Sequence, residues 1–300
     1  MAITPNQFLQ IFKEKFDKII YDQYKRLEPI YPQIYNTITA EGKLLYRAII
    51  YEPLVSFSEV GMGEKPSAEV DITKVRQFDI VRRKYGTTVV YPAEWDLIKG
   101  EIEVFKNIAS KIADRARLVE EKMAADIFVK AFTSNPYNPN GEPLCGTHTL
   151  VIAGTTYSNL VSGSLSPTTL NQAITIMSLT PNEQGDIVSD FSAQYLVVPP
   201  SLEFAARQIL QSEHLPWTAN LGINPLQNKL QLIVWKFLPD DGRWFVLAEK
   251  GSHTLTFVNF GSLRAAEPIH MPGDKFLAEY YMNIGAGFYD WRGVVGSTGA

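Results

Sequence analysis

The sequence is short of cysteine, of charge and of long apolar runs. A single cysteine among 300 residues can close no internal disulfide and build no multi-thiolate metal site. That makes a reducing cytoplasm the default compartment. No run approaches the ~18 consecutive apolar residues of a membrane span. Met1-Ala2-Ile3-Thr4-Pro5 leads straight into a polar helical pattern, so no signal peptide is expected. Charged residues make up 20% of the chain, below the usual ~25%, which predicts that unusually much surface is covered by something other than water. The net charge of −4 argues against gripping nucleic acid by bulk charge. No internal repeat or low-complexity tract is present. What is present is an apolar fraction of 45%, normal for a folded chain with the length of one large domain or two ordinary ones.

The chain opens on a helix signal. Thr4 can cap, Pro5 suits the first turn, and Phe8, Phe12, Phe16, Ile19, Ile20 and Leu27 fall on one face before Pro29 and Pro32 stop it. This face docks either on its own domain or on a neighbouring subunit. Residues 42–91 predict two extended arms joined by the turn Gly61-Met62-Gly63-Glu64-Lys65-Pro66. The second arm is charged on both faces through Asp71, Lys74, Arg76, Asp79, Arg82, Arg83 and Lys84, so it is expected to project as a two-stranded ribbon. The bland alternative is a solvated edge hairpin on its own domain. Ile98, Ile102, Phe105, Ala109, Ile112, Ala116, Val119, Met123 and Ile127 then follow in steps of three or four. They predict one long helix over about 93–132, packed by one stripe on a sheet, with a coiled-coil dimer as the alternative. Further on, Ser166-Pro167 starts a short helix, Tyr195 to Val198 is a buried strand, and Pro200 to Gln211 is helical. Leu230–Leu238 and Trp244–Ala248 are expected to pair as a hairpin across Pro239-Asp240-Asp241-Gly242. Phe276 to Trp291 is strand-like. Without a clean βαβ rhythm, the class is α+β.

Candidate chemistry is thin. Gly61-Met62-Gly63-Glu64-Lys65 lacks the spacing of a phosphate loop and is followed by Pro66. Cys145 and His148 stand close in sequence, which admits a cysteine hydrolase as a remote alternative; proximity alone supplies neither the hydrogen bond nor the orienting group. His214, His253 and His270 share no ligand spacing with them. Glu101, Glu103, Asp114, Glu120, Glu121 and Asp126 are expected on the solvated face of the long helix. Arg82-Arg83-Lys84 is too short for a nucleic-acid patch and is expected to face a partner. No catalytic, cofactor or metal site is expected.

One set of segments carries a resemblance. Phe78-Asp79-Ile80-Val81-Arg82-Arg83-Lys84-Tyr85 through Trp95 resembles the returning strand of an extended loop that leads into a spine helix. Gly141-Glu142-Pro143-Leu144-Cys145-Gly146-Thr147-His148 resembles the loop after that helix, with Cys145 where an aromatic is more usual. Pro200 to Ala206, Asn224-Pro225-Leu226, Leu232 to Leu238, Trp244 to Leu247, and Gly285 through Gly299 complete the series. In this order they are similar to the major capsid proteins of tailed bacteriophages, the Hong Kong 97-type fold, and within it to the Mu-type major head subunits.

The resemblance implies an N-terminal arm over 1–41, an E-loop over 42–91 and a peripheral domain with the spine helix over 92–165. An axial domain over 166–270 and a strand returning to the peripheral domain over 271–300 would follow. It implies a structural subunit, not an enzyme, that assembles itself as hexamers and pentamers into an icosahedral head around double-stranded DNA. The head would be built in the bacterial host cytoplasm and become the virion capsid. Expected partners are a portal protein, decoration proteins and a separate scaffolding protein, since only about 40 residues precede the E-loop. A protein-cargo shell of the encapsulin kind shares the fold and is the alternative. No covalent cross-link through Lys65 is expected, and no membrane partner. Intersubunit contact is expected from Phe12 and Phe16, from Met62, Lys65, Arg76, Arg82, Arg83 and Lys84, and from Trp217 and Asn220.

Overall fold

The computed structural model describes residues 5–51, 75–92, 102–150, 152–187, 191–214, 222–272 and 275–300. Helix α1 (Pro5–Arg26) and the single turn α2 (Tyr31–Ile34) lead into strand β1 (Asn36–Thr39). Strands β2 (Leu45–Tyr51) and β3 (Val75–Val81) form an antiparallel ribbon, followed by β4 (Arg83–Pro92). The long helix α3 (Ile102–Val129) comes next; the expected helical stretch before Ile102 lies outside the described residues. Short strands β5 (Thr147–Thr149), β6 (Thr156–Ser158) and β7 (Leu160–Val161) precede α4 (Pro167–Ser178). Then come β8 (Ala193–Val198), α5 (Glu203–Gln211), β9 (Gln231–Val234) and β10 (Trp244–Ala248). The chain continues through β11 (Thr256–Ala265), β12 (Ile269–Met271), β13 (Lys275–Gly287) and β14 (Val294–Ser297).

Two five-stranded sheets organise these elements. In the first, β13 pairs with β11 and β12 along one edge and with β4 along the other, while β1 runs parallel to β11. Strict alternation on β13 turns Phe276, Ala278, Tyr280, Met282 and Ile284 into the core and Lys275 and Glu279 to solvent. A strand with period two lying on a helix gives this pattern. The second sheet has the order β7-β14-β10-β8-β9. Its central strand β10 is buried on both faces. Phe245 and Leu247 join the main core, while Trp244, Val246 and Ala248 face a second core under α4 and α5. A continuous apolar run is what such a position demands.

Helix α3 packs between α1 and both sheets. Ala109, Ile112, Ala113, Ala116, Met123, Ala124, Ile127 and Phe128 are buried in one cluster with Phe257, Tyr280 and Phe245. Each large apolar side chain so buried contributes about 1.5–3 kcal/mol. The stripe matches the sequence pattern, and the surface it meets belongs to its own chain. Helix α4 starts on a capping box: Thr169 N donates to Ser166 Oγ at 3.2 Å, and Ser166 N to Thr169 Oγ1 at 3.0 Å.

Four expectations need correction. Residues 83–92 do not project but form an edge strand along ten residues of β13. Their alternate residues Tyr85 and Val89 pack on the core, so polar character on the other face sufficed to mislead. The segments 231–234 and 244–248 are not a hairpin, because β8 lies between them. β9 is parallel to β8 and reached through α5, a βαβ unit absent from the sequence reading. The turn at Gly242 (φ +84°) exists, but it reverses the chain without choosing the neighbour. Glu120 and Glu121 are not on a solvated face; they are 2% and 6% exposed. Finally, residues after 271 divide between the sheets, β13 in the first and β14 in the second.

Candidate assembly surface

The ribbon β2–β3 leaves the body at a tightly built root. Phe78 and Ile80 turn inward and bury against Val258 and Phe260, with Phe78 5.5 Å from the ring of Tyr289. They fit because β13 has glycine beneath them. A Cβ on Gly287 would lie 2.7 Å from Phe78 Cζ, and one on Gly285 would lie 2.8 Å from Ile80 Cγ2. On the opposite face, Arg47 and its register partner Asp79 pair through two hydrogen bonds of 2.8 and 2.9 Å. Beside them Leu44 and Val81 are 70% and 63% exposed. Apolar side chains this exposed on a ribbon root are assembly-surface candidates.

Arg82 is the single residue between β3 and β4, and its N–H donates to Leu44 O at 3.1 Å. Arg83 stands 5.0 Å from the ring centre of Tyr137, and Lys84 4.7 Å from that of Tyr281. Distant strands and loops thus supply aromatic partners to this basic cluster. Tyr137 donates to Asp126 Oδ2 at 2.9 Å, and Lys130 pairs with the same carboxylate at 2.5 Å. Burial, then the bond to Asp126, pushes the Tyr137 phenol up to about 12. The root is thus tied to the end of α3.

The other expected contact residues divide. Phe16 is 3% exposed and lies against Tyr280 of its own chain, so the helix docks on its own domain at this position. Asp17 reinforces this by accepting from Tyr280 Oη at 2.7 Å, and Tyr21 Oη accepts from Ala265 N at 3.1 Å. Arg76 lies on β3 as register partner of Ile50. The side chains of Phe12 and Arg76, and the residues Met62, Lys65, Trp217 and Asn220, lie outside the described set. Sequence reasoning missed Phe204 and Ile223, 79% and 84% exposed around α5. The available signal was phase: Phe204 falls off the Ala206, Ile209, Leu210 stripe that faces the second core.

The polar interior is structural. Glu121 accepts from Ile30 N, from Tyr31 N at 3.3 Å and from Trp235 Nε1 at 2.6 Å. Glu120 accepts from Tyr24 Oη and from Arg117 Nη1 at 2.8 Å, and burial raises its carboxyl. Cys145 is buried, and burial pushes its thiol far up. His148 stacks on Trp291 at 4.4 Å and shares Asn159 Oδ1 at 3.2 Å; burial holds it down at about 4. An inert thiol and an imidazole occupied by an amide are the reverse of an activated pair. Asn159 clamps this loop, also accepting from Gly146 N at 2.8 Å and donating to Leu144 O and Val294 O at 2.9 and 2.8 Å. Among the described residues no three His, Cys, Asp or Glu side chains gather as metal ligands, and no helix is long and apolar enough to cross a membrane. Open grooves flank α3, one of them of about 560 Å³ between Ile30, Arg117, Leu118 and Phe237.

Comparison with known proteins decides the class. The sequence profile of a family described as phage capsid protein matches residues 90–297. This chain belongs to the phage capsid protein family. No curated protein matches it significantly. Among solved structures, the capsid of Myoviridae phage XM1 is similar at 14% identity and a TM-score of 0.53, over 88% of this chain and 90% of that one. The native GTA particle capsid reaches a TM-score of 0.59 at 10% identity, over 89% of each chain. A virus-like particle from Pyrococcus furiosus reaches 0.51 at 14% identity, over 95% of this chain and 99% of that one. The fold of this capsid protein is the Hong Kong 97 type.

Proposed function

We propose that this capsid protein is the major head subunit of a tailed phage, assembling as hexamers and pentamers into an icosahedral shell around double-stranded DNA. The family match over residues 90–297 is the observation that carries the reading. In this reading the subunit is of the Mu type, with α1 as the arm, β2–β3 as the E-loop, α3 as the spine helix, the sheet around β13 as the peripheral domain and the sheet around β10 as the axial domain. Shell contacts come from the exposed root residues Leu44 and Val81, from the ribbon beyond them, and from Phe204 and Ile223. The net charge of −4 leaves packaged DNA mobile against the inner surface. Portal, scaffolding and decoration proteins complete the partner set, and the virion is the destination. Function is by binding, with no chemistry of its own.

Electron microscopy of the purified protein, with its mass by light scattering, tests this. Closed shells or rings of five and six are expected, alone or on co-expression with a scaffolding protein encoded beside it. Single-chain particles under both conditions would overturn the reading. Likeness to the Pyrococcus particle makes a protein-cargo shell the second reading. Portal and terminase genes alongside favour the phage head, and an enzyme gene favours the cargo shell. Deleting residues 55–75 is expected to leave a folded subunit that builds no shells; normal particles from that deletion would refute the E-loop assignment.

A further inference from the structure

After β7, the chain passes directly between the two sheets twice, from β10 to β11 through residues 249–255 and from β13 to β14 through residues 288–293. The two crossings lie side by side. Thr254 Oγ1 donates to Asp290 O at 2.7 Å and accepts from Asp290 N at 3.0 Å, and Ala248 N donates to Gly293 O at 2.8 Å. Gly293 (φ +80°) presses on the first crossing: a Cβ there would lie 3.0 Å from His253 Cβ. The first crossing is further tied to the N-terminal segment, where Asn36 Nδ2 donates to His253 O at 2.9 Å and Lys250 Nζ to Pro32 O at 2.9 Å.

Both crossings are packed on histidine. His253 is 2% exposed; its ring nitrogens make no well-aligned hydrogen bond, and the backbone carbonyls of Ile34 and of His253 itself face the ring. A buried polar group left so is costly and calls for an explanation. His148 is 6% exposed and lies flat on Trp291 of the second crossing, with Tyr157 stacked on the same indole at 5.8 Å. At the centre, Arg292 is buried between Glu183 at 2.9 Å and Asp290 at 3.0 Å, and its Nε donates to Pro181 O at 2.7 Å.

We propose that this paired crossing is an acid-sensitive joint, closed while His148 and His253 are neutral and loosened when they take up protons. An added imidazolium at His148 meets the Arg292 guanidinium on one side and Asp290 on the other. One at His253 meets the Lys250 ammonium, against the partial charges of the backbone carbonyls of Ile34 and His253; at His148, Asp290 is already engaged by Arg292. Tyr157 faces the joint from β6 as a phenol. Burial holds both rings down at about 4, against 6.5 when open to water. The open joint therefore binds more protons than the closed one below pH 6.5, and acid favours opening.

Hydrogen exchange of the purified full-length chain at pH 7 and pH 5, corrected for intrinsic chemistry, reads this opening. From the two proton affinities, opening rises roughly 20-fold per histidine between these pH values, multiplying where one opening frees both. Peptides over 248–256 and 288–297 are expected to show it, and peptides over 119–129 are not. His148→Gln is expected to remove one factor and His253→Gln the other, and the double variant should respond to neither pH. If His253→Gln fails to fold, His148→Gln alone still must lower the response. Equal responses in wild type and His148→Gln would overturn the proposal. So would histidine ring resonances that both titrate near 6.5 in the folded chain.

Discussion

Glu121 stands on the long helix where a count of charged positions expects water, yet it holds three donors from two other segments. Its carboxylate caps α2 and fixes the Trp235 indole at once. Glu121→Ala leaves those donors buried and unpaired, and a loss of about 2–4 kcal/mol in urea unfolding is expected. Nothing adjacent in sequence announces this, because the donors lie about 90 and 114 residues away. Cys145 shows the opposite case. The sequence sets it three residues from His148 without the geometry of a catalytic pair, and in the fold the thiol is buried and raised by that burial. A thiol reagent at pH 8 is therefore expected to label Cys145 only once denaturant opens the core; rapid labelling of the native chain would contradict its placement.

At the scale of elements, legibility followed periodicity. Helix α1, the stripe of α3, the cap of α4 and the buried run of β8 were readable because each pattern is local. Strand pairing was not readable, since β8 divides β9 from β10 by contacts that no turn residue encodes. The ribbon root illustrates the same divide. Its exposed polar face was legible, but the glycine seats under Phe78 and Ile80 belong to a strand some 200 residues later. Gly287→Ala places a methyl against Phe78 and 3.0 Å from the backbone oxygen of Tyr137. About 1–3 kcal/mol of destabilisation is expected, with the ribbon displaced and shell yield in electron microscopy reduced. Ser166→Ala, which removes the cap of α4, should cost about 1 kcal/mol and leave shell yield unchanged.

For the whole molecule, the fold class was legible through resemblance, whereas the direction in which single apolar residues face was only partly so. Phe16 turned inward, and Phe204 and Ile223 turned outward. The burial of two neutral histidines also sets a pH slope for the entire chain. Both have folded affinities lowered to about 4 from 6.5. Their contribution is intact above pH 6.5 and is lost as pH falls from there toward 4, at up to ~1.4 kcal/mol per pH unit for each. Thermal unfolding scans across that window should show a melting temperature that falls with acid, and the double glutamine variant should flatten the fall.

The position of β13 and β14 has one more consequence. β13 is the spine of one sheet and β14 an inner strand of the other, and both come late in the chain. During synthesis at about 5–20 residues per second, neither sheet can complete its pairing until residues 275–297 have emerged. A chain lacking that segment loses the pairing partner of β4 and β11 in one sheet and of β10 in the other. The order of strands thus ties completion of both sheets to one segment, residues 275–297.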